Sequence, residues 1–312
     1  MQNSRKYLLV MLLLAAVNGG LFAQQLPHYT NFIYNYFAYN PAVAGTTKCV
    51  ELKLGYRDQW KGVPDAPRTA FANLHGKLKA GKWNFHGVGG LVDSDDAGPF
   101  SYTSIHLAYA YHARVARRYM LATGISMGFQ QFRVDYGAMV MENYSDPAIQ
   151  GPISKFVMPK VNLGIWLYRG DRFYGISIKN LNENGVEGLG IQNPDIKRHY
   201  HFTAGRSIRM NDDLYFKPAI NINFVSASDP DFDFTAQLEY REKVTIGLGG
   251  RFGVGLTGLI KLSVIKYVTL AYAYDLTVNP LRVDGLNTHE IIIGIRACSG
   301  DEKSKVPCAA YD

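Results

Sequence analysis

Eight histidines and three cysteines are the residues of this 312-residue chain best suited to metal or covalent chemistry. His199 and His201 stand two apart, and His106 and His112 six apart, so on extended backbone each pair shares a face. Neither pair has a third ligand at zinc-site spacing, and both read as polar residues of an interior or an interface. Asp93, Asp95 and Asp96 could hold calcium, but in an outer loop they read better as solvated charges. Gly87-Val88-Gly89-Gly90 and Gly247-Leu248-Gly249-Gly250 have the glycine content of phosphate loops, yet neither opens a helix. Glycine within a strand more simply allows bending or close packing. No catalytic, cofactor or metal set emerges, so an enzyme is not expected.

The elements that carry these residues show in the alternation. Leu214, Phe216, Pro218, Ile220, Ile222 and Phe224 take one face, and Tyr215, Lys217, Ala219, Asn221 and Asn223 the other. Successive strand residues face opposite sides, so this strand lies between an apolar and a polar medium. Phe232 to Tyr240, Ile105 to His112 and Val268 to Leu276 repeat the pattern. Fourteen such segments are predicted near 49–60, 68–78, 84–94, 100–113, 118–133, 158–168, 172–180, 198–209, 214–225, 231–241, 244–252, 255–265, 267–276 and 288–297. Most have about the 9–11 residues that a tilted membrane strand needs. No run of about 18 apolar residues follows residue 23, which excludes a helical membrane bundle.

Short basic turns, such as Arg114 to Arg118, Arg169 to Arg172 and Arg241 to Lys243, fall on one side of this array. The longer connections 61–67, 94–99, 134–157, 181–197, 226–230 and 277–287 fall on the other, with 252–255 an unusually short one. Short periplasmic turns opposite long outer loops are the asymmetry of outer-membrane barrels. The expected fold is therefore an all-β, antiparallel transmembrane barrel of about fourteen strands.

Export fits the N-terminus. Arg5 and Lys6 precede the apolar run Tyr7 to Val17, and Ala23 offers a small residue before Gln24, so residues 1–23 read as a signal peptide. With Cys49 far downstream, a lipoprotein is not indicated. The formal net charge of +7 lies largely in turns, and an exported chain does not meet nucleic acid. One domain, 24–298, is expected, with a tail over 299–312. Within it, segment 24–47 carries Tyr29, Phe32, Tyr34, Tyr36, Phe37 and Tyr39, too aromatic for a solvated tail. It is expected to pack into the barrel or against its periplasmic mouth, with both chain ends in the periplasm.

Closure should pair the first and last strands antiparallel. One register sets Cys49 opposite Cys298, Glu51 opposite Arg296 and Arg57 opposite Glu290, with Leu52 on Ile295 and Leu54 on Ile293 facing lipid. A Cys49–Cys298 disulfide would persist in the oxidising periplasm. A local Cys298–Cys308 bond, leaving Cys49 free, is the alternative.

The stretch Gln25-Leu26-Pro27-His28-Tyr29-Thr30-Asn31-Phe32, with Asn40-Pro41-Ala42-Val43-Ala44-Gly45-Thr46, resembles the opening of PorP/SprF proteins. Tyr56-Arg57-Asp58-Gln59-Trp60-Lys61-Gly62, Pro67-Arg68-Thr69 and Ala271-Tyr272-Ala273-Tyr274-Asp275 continue the resemblance over the mature chain. It makes Asn40, Pro41, Ala44, Gly45, Tyr56, Arg57, Gln59 and Trp60 candidate partner contacts. It implies an outer-membrane component of the type IX secretion and gliding machinery of Bacteroidetes-type bacteria, assisting export or surface anchoring of secreted proteins. Outer-membrane lipid, other secretion components, a peptidoglycan-binding lipoprotein and the C-terminal domain of a client or adhesin would be its partners. A channel or transporter for a small or lipophilic solute is the alternative, and an outer-membrane enzyme is a third reading that lacks a serine–histidine–acid set at the lipid face.

Overall fold

A computed structural model describes residues 29–47, 49–80, 84–139, 153–182, 197–226, 228–278 and 287–297. The proposed signal peptide, Gln24, most of loop 181–197, Cys298, Cys308 and the tail lie outside the described residues.

The strands are β1 (Val50–Asp58), β2 (Arg68–Ala80), β3 (Asn84–Ala97), β4 (Phe100–Ala116), β5 (Tyr119–Asp135), β6 (Ile153–Arg169) and β7 (Arg172–Lys179). After them come β8 (His199–Arg206, resumed at Ile208–Arg209), β9 (Leu214–Val225), β10 (Asp231–Tyr240), β11 (Val244–Arg251), β12 (Gly255–Ile265), β13 (Val268–Thr277) and β14 (Asn287–Ala297). Each pairs antiparallel with its sequence neighbours, and β14 pairs with β1 to close the sheet. Closure leaves no free edge, the condition for backbone to cross lipid. No helix among the described residues is long and apolar enough to cross a membrane.

Burial is inside-out, as the alternation requires. Leu107 and Leu248 are each 73% exposed on the outer wall, whereas Glu290 on the inner wall is 0% exposed. On β9, Lys217, Asn221 and Asn223 are buried while Ile220 and Phe224 face out. Apolar side chains meet lipid, and polar ones meet each other around the axis.

Three boundaries differ from expectation. The predicted loop 94–99 shrinks to Gly98-Pro99, because Asp93, Asp95 and Asp96 continue β3. Asp93 and Asp95 project inward, where Ser104 and Thr69 donate hydroxyl hydrogen bonds to them, so they are not loop residues. β5 and β6 run on to Asp135 and back to Ile153, shortening the connection placed at 134–157. The strand expected over 198–209 breaks at Ser207, whose N–H leaves the ladder for the Asp171 carbonyl at 2.8 Å.

Candidate functional site

Residues 29–47 are all buried, and their contacts with inward residues around the wall place them in the lumen. Three short turns of helix, Phe32–Tyr34, Tyr36–Tyr39 and Pro41–Val43, make up the segment. Asn40 sets the last one. Its side chain accepts from Ala42 N at 2.9 Å, and Pro41 starts the turn with φ already restricted. Such short helices would not persist alone in water, so the barrel wall must hold them.

The wall is shaped for this. Gly87, Ala110, Gly124, Gly164 and Ser177 face one another in sequence across β3 to β7, forming a single row of small residues. Along this row lies the Asn40-Pro41-Ala42-Val43-Ala44-Gly45 segment. A Cβ on Gly87 would come 1.9 Å from Ala44 O, one on Gly124 2.4 Å from Ala42 N, and one on Gly164 1.9 Å from Asn40 Oδ1. Ser177 Oγ donates to Tyr39 O at 2.7 Å, and Asn40 Nδ2 donates to the Ile165 and Ile176 carbonyls at 3.0 and 3.1 Å. Gly45 ends the run at φ +81°, where a Cβ would also strike Gly87 Cα at 2.7 Å. The glycines that look like phosphate loops in sequence are thus partly a docking surface for the chain's own motif.

Aromatic packing fixes the rest. Tyr36 packs on Phe173 at 4.8 Å and on Trp166 at 5.5 Å, Phe37 on His75 at 4.9 Å, and Tyr39 on His201 at 5.3 Å between ring centres. Burial raises the phenol pKa values of Tyr29, Tyr34 and Tyr39 above their ordinary value. The rings therefore sit neutral, and the Tyr39 hydroxyl bonds the Tyr29 backbone.

A charged latch holds the other end of the segment. Glu290 accepts the backbone N–H groups of Thr30 at 2.7 Å and Asn31 at 3.1 Å. Arg57 Nε donates to Thr30 Oγ1 at 3.2 Å and lies 3.8 Å from Glu290. Arg57 and Asp275 sit near the loop-bearing ends of β1 and β13, whereas Thr47 precedes the short-turn end of β1. The segment therefore runs along the barrel rather than capping the mouth at the short turns. Beside it remain polar cavities of about 80 Å³ next to Arg57, Arg251 and Asp275, and about 50 Å³ next to Glu51, Lys261 and Arg296. These are spaces for a few waters.

The other motif residues sit apart. Tyr56 is 48% exposed toward lipid, while Gln59, bonded by Arg57, and Trp60 mark the loop-bearing rim. Trp60 takes a left-handed φ of 49°, and its N–H donates to Thr288 Oγ1 at 3.3 Å. At the seam, Glu51 pairs with Arg296, Arg57 with Glu290, Leu52 with Ile295 and Leu54 with Ile293. Cys49 is disulfide-bonded, so it is not free, and its partner lies outside the described residues.

A cluster not foreseen from sequence lies higher in the lumen. Ser104 Oγ is 2.6 Å from both Asp93 Oδ1 and His106 Nε2. A nucleophilic serine needs its carboxylate on the far histidine nitrogen. Here Asp93 takes the serine hydroxyl itself, and His106 Nδ1 faces Asn162 at 3.4 Å. All of these groups are buried, a satisfied polar interior rather than a hydrolytic site. The signal was available, since Asp93 and Ser104 are direct cross-strand partners. Among the described residues no group of three or more His, Cys, Asp or Glu side chains could hold a metal.

Solved structures share the architecture. The toluene transporter TbuX of Ralstonia pickettii matches with a TM-score of 0.50 at 12% identity, over 84% of this chain and 93% of its own. A FadL homologue of Pseudomonas aeruginosa matches with a TM-score of 0.50 at 11% identity, over 90% and 96%. At such identities the likeness speaks for the outer-membrane barrel fold alone. Among curated proteins no sequence matches significantly. The sequence profile of the type IX secretion system membrane protein PorP/SprF matches residues 21–295, the lumen segment and barrel together, and the chain belongs to that family.

Proposed function

We propose that this barrel acts in type IX secretion by interaction, assisting export or surface anchoring of a client, and not as a solute channel or an enzyme. The observation that carries the reading is the docking of the Asn40–Gly45 motif against the glycine row, which places the chain's own buried residues 29–47 inside the lumen. A conducting channel would want that space for solute. The family supplies the machinery, and Gln59, Trp60 and the exposed connection 61–67 supply a surface open to a client domain. A peptidoglycan-binding lipoprotein on the periplasmic side is the expected anchor, in a Bacteroidetes-type cell.

Deletion of residues 26–45 tests this. The shortened barrel should still insert, seen as heat-modifiable migration on a gel, yet the client should no longer reach the medium or the cell surface. Normal client export by an inserted deletion barrel counts against the role. In planar bilayers the native protein should show little conductance and the deletion protein a stable pore; an open native pore would favour the solute channel.

A further inference from the structure

Three arginines on the outer wall form a row that lumen and client do not explain. Arg169 of β6 faces Arg172 of β7, and Arg172 faces Arg206 of β8. Their neighbours Tyr168 and Phe173 are fully buried inward, so by alternation Arg169 and Arg172 project outward. Arg206 is exposed on the same side, since its neighbour Gly205 shares the inward row of Phe173.

The next two outward rows of the same strands are apolar. Leu167, Tyr174 and Ala204 form the first, and Ile165, Ile176 and Phe202 the second. Ile165 and Ile176 are 49% and 54% exposed, the signature of a lipid-facing band. The arginine row therefore lies two residues, roughly 7 Å along the strand, beyond the first of these apolar rows toward the short turns. That is the depth of headgroups on the periplasmic side, given the turn asymmetry.

Like charges opposite one another across strands repel. Asp171 lies between Arg169 and Arg172 and accepts from Arg169 Nη2 at 2.8 Å and Arg172 Nη2 at 3.0 Å. Those bonds, first the one from Arg169, keep its carboxyl well below the usual range and thus ionised. Beside them the Arg169 guanidinium lies 5.4 Å from the centre of the Tyr119 ring, an aromatic at interface depth.

We propose that the Arg169–Arg172–Arg206 row is a binding site for the phosphate headgroup of an anionic phospholipid of the inner leaflet, with its acyl chains along the Ile165–Ile176–Phe202 face. Guanidinium forks suit phosphate oxygens, and basic surfaces at membrane depth select anionic lipid. Such a site would fix the depth and tilt of the barrel on the side where secretion partners assemble.

The test uses the full-length protein reconstituted in phosphatidylcholine vesicles, probed with spin-labelled phosphatidylglycerol and spin-labelled phosphatidylcholine. The native protein should hold the anionic probe in preference to the zwitterionic one. R169Q/R172Q/R206Q should lose the preference, with about a fivefold fall per arginine removed at the surface. K243Q/K266Q, which lowers charge elsewhere on the same rim, should keep it. Equal preference in native protein and the triple variant overturns the proposal, as does an equal loss in the lysine control. Excess inorganic phosphate should leave the probe bound; displacement by phosphate alone would assign the row to a free anion instead. Should the triple variant fail to insert, R206Q, outside the Asp171 bridges, carries the same test, and an unchanged preference there overturns it.

Discussion

Arg296 Nε donates to Glu51 Oε1 at 2.9 Å across the seam that closes the barrel. Glu51 also meets Lys53 at 2.8 Å and His75 at 3.5 Å, so one buried carboxylate gathers three basic groups. Glu51→Arg would set like charges together in a buried place, a change in the range of 3–5 kcal/mol. Arg296→Glu should cost less, because Lys53 stays within reach. The double change should unfold less readily in urea than the two single losses add up to, while remaining below the native protein because Lys53 and His75 still face an arginine. Strict additivity would mean that the two residues do not interact across the seam.

A second expectation follows from the same ladder. Val50 lies opposite Ala297, and the next step outward is Cys49 with Cys298. Cys49 is disulfide-bonded, and only Cys298 and Cys308 are available to it within the chain. Non-reducing peptide mapping should recover a Cys49–Cys298 peptide. A Cys49–Cys308 peptide would mean that the ladder ends at Val50.

The strands and the seam were legible because barrel sequence carries strict parity. A register error of one would set Glu51 and Glu290 in lipid, so charge and periodicity together leave few solutions. Strand ends were less legible. Asp93 and Asp95 look like loop residues until the lumen is seen to offer them Thr69 and Ser104. Packing of the aromatic segment on the barrel was legible from its rings, but which of its two expected places, lumen or mouth, was not. The glycine row that receives it is assembled from separate strands, Gly87, Gly124 and Gly164, and only the ladder registers align them. Nor was the arginine row, for the same reason.

The inverted wall predicts inverted mutational costs. Ile222→Arg should destabilise by about 2–4 kcal/mol if the position lies near the bilayer midplane. Asn221, one residue away, is 1% exposed, accepts from Thr203 at 3.0 Å and donates to Asp233 at 3.2 Å. There an apolar residue is the damaging one: Asn221→Leu should cost about 1–3 kcal/mol through partners left unsatisfied. Urea titrations in vesicles measure both. A mild Ile222→Arg together with a neutral Asn221→Leu would reverse the assigned faces.

Docking of the lumen segment should depend on absent methyl groups. A Cβ at Gly124 would lie 2.4 Å from Ala42 N, a backbone atom that cannot rotate aside. Gly124→Ala should therefore loosen the segment by about 1–3 kcal/mol, the usual cost of overpacking. Gly170, in the short turn after β6, has nothing within 4 Å of its would-be Cβ and serves as the control. Amide exchange over 29–47 should accelerate in Gly124→Ala and stay native in Gly170→Ala. Equal protection in both would show that the row tolerates side chains and that docking rests elsewhere.

Alkali should release the same segment. Tyr29, Tyr34 and Tyr39 have phenol pKa values raised by burial, while a released segment would titrate near the ordinary value of about 10. A group whose docked pKa is raised contributes stability that is fully present below its free value and is lost as pH rises above it. Below about pH 9 the three phenols are neutral in both states, and docking does not respond to pH through them. Above about pH 10 the released state gains by ionising and the docked state does not, so docking weakens with each further step. Exchange protection of 29–47, corrected for the intrinsic base-catalysed rate, should be level from pH 7 to 9 and fall beyond 10. Over that range the β4–β5 ladder, whose inward rows carry small and polar residues such as Ala110, Gly124 and Ser126, should hold its protection longer. Phe at all three positions should remove the alkaline fall. If the triple Phe protein loses protection at the same pH as the native one, the phenols are not what the pH acts on.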